Sequence, residues 1–171
     1  PLSHQLIKTI QNRRALYVAV LLHDMAKGRE EDHSLEGERI ARTLGPRLGL
    51  SPAEIETVAW LVRQHLTFST FAQSRDPSDP RTIEAFTKIV QSPERLKLLL
   101  ILTVADIRAV GPGVWNGWKG ELLRALYYQA EAELSGGGTA SAQDSRVEAR
   151  KRELRGLLSK WPDGEADKWV E

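Results

Sequence analysis

The stretch "ALYVAVLLHDMAKGREEDHS", Ala15 to Ser34, ends an apolar run with His23 and Asp24 side by side, followed by Lys27 and His33. Imidazole and carboxylate together can hold a divalent cation without any thiolate. Ammonium and imidazole can grip phosphoryl oxygens or move protons near neutral pH. Two more groups join them from further along the chain: His65 in "WLVRQHL", and Asp106 in "LKLLLILTVADIRA", where almost every preceding neighbour is apolar. Each has an ordinary explanation by itself. His23 can be a satisfied core histidine and Asp24 a surface carboxylate paired with Lys27 or Arg29. Asp106 can pair with Arg108, and His33 and His65 can be structural or merely exposed. Together they supply the ligands of a non-thiolate metal site.

Helix geometry sharpens the point. His23 and Lys27 fall on one face a turn apart, with Asp24 rotated by about 100°. An aspartate in the last turn of a helix meets the negative end of the macrodipole and loses hydration as well; a divalent cation reverses both penalties. Asp106, set in an apolar helix, needs a cation for the same reason.

Composition limits the alternatives. The chain has 171 residues, enough for one globular domain with its own core. Its 24 basic and 23 acidic side chains nearly balance, and no run of five like charges occurs, so neither nucleic acid nor disorder is indicated. Cysteine is absent, which removes disulfides, thiolate nucleophiles and zinc–thiolate sites together. No apolar stretch reaches the roughly 20 residues that a bilayer requires, and no signal peptide opens the chain. A cytoplasmic protein with no membrane partner is expected. The opening "PLSHQL" lacks an initiator methionine, which suits a segment of something longer.

The elements that must carry these groups read as helices throughout, so the fold class is all-α. The first main helix is predicted over Arg14 to about Lys27, stopped by Gly28 in the left-handed position. Asp32 or Ser34 can cap the next, running toward Leu48 with Gly45-Pro46 ending or kinking it. "SPAE", Ser51 to Glu54, is a capping box followed by apolar Ile55, Val58, Ala59 and Val62 at helical spacing. Asp79-Pro80 and Ser92-Pro93 repeat the cap-then-proline device, and "FAQSRDPSDP", Phe71 to Pro80, reads as a long polar loop. Trp115 to Leu134 places Trp118, Leu122, Leu126 and Ala130 on one face, so core packing is preferred over nucleotide stacking for its tryptophans. The domain is predicted over 1–135, a Gly-rich linker over 136–143, and a charged helix over 144–171.

The order His-Asp, His, His, Asp across a helical chain resembles the HD superfamily of metal-dependent phosphohydrolases, an HD-domain helical bundle. Three stretches are closer still: "LLHDMAKGREEDHSLEG", "VAWLVRQHLTFSTFAQSRDPSDPRTIEAF" and "LLILTVADIRAVGPGVWNGWKGELLRALY". They resemble the HD domain of the bacterial family of bifunctional uridylyltransferase/uridylyl-removing enzymes over about Leu16 to Leu134. That resemblance implies hydrolysis of the phosphodiester joining UMP to a tyrosine of the nitrogen-regulatory PII protein. It implies that His23, Asp24 and Asp106 bind a divalent metal, with magnesium or manganese expected. Lys27, His33 and His65 match the family's other polar positions: Lys27 to counter charge on the phosphate, His33 or His65 to orient it or protonate the leaving oxygen. It further implies a nucleotidyltransferase domain before the segment and glutamine-sensing ACT domains after it, approached by the helix from Asp144. The family also has a histidine on an earlier helix; His4, the only earlier one here, has an unlike context and is expected to be an exposed linker residue. A hydrolase of free nucleotides and an inactive helical relay module are the rival functions.

Overall fold

The computed structural model describes residues 2–29, 31–111 and 113–136, all helix, turn or loop with no strand among them. In chain order the helices are α1 (Leu2–Leu6), α2 (Arg13–Leu22), α3 (His33–Leu44), α4 (Pro52–Gln64), α5 (Thr67–Ser74), α6 (Pro80–Val90), α7 (Pro93–Ala109) and α8 (Gly117–Leu134), with a 3-10 turn at Pro46–Leu48 after α3. The all-α expectation is met. The linker from residue 137 and the helix expected from Asp144 lie outside the described residues.

Caps set most of the helix starts. Ser51 Oγ accepts from the Glu54 N–H while Glu54 Oε2 accepts from the Ser51 N–H, the reciprocal box read from "SPAE". Asp32 accepts from the Ser34 and Leu35 N–H groups, and Asn12, Asp79, Ser92 and Asn116 each cap their own helix in the same manner. The next residue at Ser51, Asp79 and Ser92 is proline, whose missing N–H costs nothing in a first turn.

α7 is the central pillar. From Leu96 to Thr103 it is buried almost all round, and it packs against α1, α2, α4, α5, α6 and α8. Its start and its end are both tied to the α2 segment. The Gln11 N–H donates to Glu94 Oε1 at 2.7 Å, and His23 Nε2 lies 3.5 Å from Asp106 Oδ1. The two helices therefore run side by side in one direction. A second layer of the core is aromatic, with Phe86 of α6 fully buried between Phe68 and Phe71 of α5 at ring separations of 5.0 and 5.3 Å.

Four local expectations change. α2 stops at Leu22, not Lys27, because the His23 ring takes the Val20 carbonyl that a continuing helix would offer to Asp24; tight three-residue turns then run to Gly28, which has φ +86°. α5 occupies the first four residues of what reads as a polar loop, since Phe68, Phe71 and Ala72 are buried at helical spacing. "PLSHQL" is no bare linker but contains α1, held by buried Leu6, though His4 is exposed as expected. Trp118 is 63% exposed, because the buried face of α8 runs through Gly120, Leu123, Leu126, Tyr127 and Ala130, rotated from the stripe that the four-residue spacing indicated.

α3 packs most extensively on α4, and Gly37 permits the approach: a Cβ there would lie 2.8 Å from Val62 Cγ1, a fully buried β-branched side chain with little room to rotate. Gly37→Ala tests the contact. Helix propensity alone would stabilise the variant by about 1 kcal/mol, whereas overpacking costs about 1–3 kcal/mol. The expected outcome is a lower urea midpoint; an unchanged or higher one shows that α3 and α4 are not so closely pressed.

Candidate metal centre

Two helices end in the same way. His23 follows α2 and His65 follows α4, and in each case ring Nδ1 lies 2.8 Å from the carbonyl of the valine three residues earlier, Val20 and Val62. A carbonyl only accepts, so Nδ1 carries the proton in both rings and Nε2 presents its lone pair; the tautomers follow from the bonding network. That is the state in which imidazole binds a metal. "VLLHD" and "VRQHL" thus encode one device twice, a ring locked onto the last turn of its own helix.

Both lone pairs face Asp24. His23 Nε2 is 3.9 Å from Asp24 Oδ2 and 3.5 Å from Asp106 Oδ1, and His65 Nε2 is 3.9 Å from Asp24 Oδ1. His33, in the first turn of α3, completes the set with its Nε2 3.4 Å from His65 Nε2. The three rings form a row, His23 and His33 each meeting His65 edge-to-face at 5.4 and 5.2 Å. Two donor groups result, His23–Asp24–Asp106 and Asp24–His33–His65, each with ligand atoms within 4.8 Å of one another and with Asp24 common to both. All three residues expected as metal ligands come together, and so do His33 and His65.

The electrostatics favour a cation. The C-terminal ends of α2, α4 and α7 converge here, since Asp106 stands in the last turn of α7, and each end carries about half a negative charge. Asp24 and Asp106 add carboxylates, with side chains 35% and 25% exposed. Lys27 Nζ donates to Asp24 Oδ2 at 2.8 Å, so the pairing foreseen as the plain alternative for Asp24 is present. Burial pushes the Asp24 carboxyl up, yet the hydrogen bond from Lys27 and its positive charge leave it below its ordinary value. Asp106 has no such partner in Arg108, which stacks over Trp115 at 5.1 Å.

The loop between Asp24 and His33 is held from α3. Arg29 bonds Glu36, and Arg39 bonds both Glu31 and Glu36. These exposed pairs were not foreseen as part of the site, and nothing in the isolated sequence pairs them. His4 belongs to neither donor group.

His65 is 1% exposed, and burial, followed by its histidine neighbours, depresses its pKa against the opposing pull of the Val62 carbonyl and Asp24. A base depressed in the folded state leaves the unfolded chain holding more protons at mildly acid pH. Its contribution to stability is therefore complete above the unfolded value of about 6.5 and declines as pH falls below it. Metal-free chain is expected to lose urea stability from pH 7 to 5, with a smaller loss in His65→Asn; parallel profiles would rule His65 out as the cause.

The HD domain family matches residues 2–109. The chain is similar to the bifunctional uridylyltransferase/uridylyl-removing enzyme of Bradyrhizobium diazoefficiens, at 56% identity over 160 residues, covering 94% of this chain and 17% of that protein. It thus spans less than a fifth of the length of this curated relative. No solved structure matches the chain. The His-Asp pair, the two later histidines and the distant aspartate are all within or beside one helical cluster covered by the family match, and the chain belongs to the HD domain family.

Proposed function

We propose that the chain is the metal-dependent phosphodiesterase segment of a uridylyl-removing enzyme, hydrolysing the bond between UMP and a tyrosine oxygen of the PII protein. The observation that carries the reading is the meeting of His23, Asp24 and Asp106 around one point. Its substrate rests on the similarity to a protein named for uridylyl removal. On this reading a nucleotidyltransferase domain and ACT domains flank the segment, and the reaction is cytoplasmic. Among the described residues no helix is long and apolar enough to cross a membrane.

The residues fit a divalent ion. Two carboxylates and an imidazole with its lone pair free are a hard-to-borderline donor set, suited to magnesium or manganese, and three helix ends supply negative potential. Bound there, the ion would offset charge on the phosphoryl oxygens and acidify a water for attack on phosphorus. His23, Asp24 and Asp106 would hold it. Lys27, whose side chain is 71% exposed, can turn its ammonium to an equatorial phosphoryl oxygen.

The histidine pair divides the proton work. His65 Nε2 is an acceptor because Nδ1 is committed to Val62, so at 3.4 Å His33 Nε2 is the donor between them. In its imidazolium form His33, half-buried at the start of α3, can give its second N–H proton to the departing tyrosyl oxygen while Nε2–H stays on His65. A phenol of pKa about 10 leaves without needing full protonation, so this assistance is secondary. The shared Asp24 carboxylate favours one further arrangement, a second ion at Asp24–His33–His65; metal stoichiometry distinguishes the two.

With magnesium or manganese, a full-length enzyme containing this segment is expected to release UMP from uridylylated PII. EDTA, Asp24→Asn and Asp106→Asn should each reduce release to background, and Asp24→Asn in a full-length enzyme should spare uridylylation. Undiminished release in Asp24→Asn contradicts the assignment. Hydrolysis of free nucleotides with none of the conjugate moves it to a nucleotide phosphohydrolase.

A further inference from the structure

Lys27 already bonds one of the oxygens that would hold a cation. Its ammonium lies on Asp24 Oδ2 at 2.8 Å, the carboxylate common to both donor groups, and acts electrostatically on Asp106 as well. The other basic side chains near the site point elsewhere: Arg29 to Glu36, Arg63 to Glu38, and Arg108 to Trp115. Two carboxylates, two imidazole lone pairs and three helix C-termini facing one another would repel without a positive charge nearby. Lys27 supplies it among the described residues.

We propose that the Lys27 ammonium is a tethered stand-in for the metal, holding the Asp24 carboxylate in place before a divalent ion arrives and giving way when one binds. The inference rests on the metal-dependent reading above and adds a competition built into the site. An ammonium and a divalent ion cannot both use the lone pairs of one carboxylate oxygen without mutual repulsion. The pair is also easily broken: Lys27 reaches in from solvent with its side chain 71% exposed, and exposed ion pairs are weak. Its short turn from Asp24, closed by the Lys27 N–H to the Asp24 carbonyl at 3.0 Å, keeps the released ammonium beside the site. Lys27 then has two successive partners, the ligand carboxylate first and a phosphoryl oxygen afterwards.

Titration of the chain with manganese alone, followed by calorimetry, tests this without any turnover. Lys27→Met should bind manganese about three- to fivefold more tightly than the wild type, the size expected from removing a weak competing pair. Lys27→Arg, which keeps the charge, should stay within about twofold of the wild type, and about 0.5 M KCl should narrow the Lys27→Met gap by screening. Asp24→Asn should abolish the binding. Manganese bound through Asp24 with no gain in Lys27→Met, or an equal gain in Lys27→Arg, overturns the stand-in alone. Wild-type binding that is absent, or no stronger than that of Asp24→Asn, overturns the metal reading and this inference with it.

Discussion

The site depends on a bond inside the helices that carry it. His23 and His65 each donate Nδ1–H to a valine carbonyl in the last turn of their own helix, and that single contact does three things. It satisfies a carbonyl that a helix end leaves without a partner. It stops α2, so that Asp24 leaves the helix and turns toward the cluster. It also fixes the tautomer, so that both Nε2 atoms face inward as acceptors. Helix termination, ring orientation and ligand chemistry thus have one cause.

Packing then determines where those two ends meet. α4 brings His65 to the end of α2 because Val58, Leu61 and Val62 are fully buried in the same core as Leu16, Ala19 and Leu22. Gly37 lets α3 close over Val62, whose carbonyl holds the His65 ring, and α3 carries His33 in its first turn. The burial that makes His65 a poor base also keeps its lone pair available, so the stability of the core and the readiness of the donor are linked at this residue.

Much of this was legible in the residue order. Capping signals located most of the helix starts, because a side-chain oxygen bonded to an N–H two or three positions on is a local event that the sequence states directly. The His-Asp pair and Asp106 were readable as candidate ligands because charged groups in apolar helices need partners. What could not be read is the part decided at a distance. Nothing local announces that Trp118 points to solvent, since its exposure depends on which face of α8 the other helices cover. The end of α2 at Leu22 depends on one ring reaching back, a choice that periodicity cannot register. The meeting of His33 with His65, 32 positions apart, required the packing of α3 on α4.

The side-by-side course of α2 and α7 has an architectural consequence. Twelve positions separate Gln11 from His23, and twelve separate Glu94 from Asp106, so two equal spans are joined at both ends. A residue inserted in either span would advance one of these side chains by about 100° around its helix and carry it out of reach of the other. Length is therefore a constrained quantity in these two segments, as strict as residue identity. The turn between α5 and α6 bears no such matching, and chain length can drift there without disturbing the alignment of His23 with Asp106.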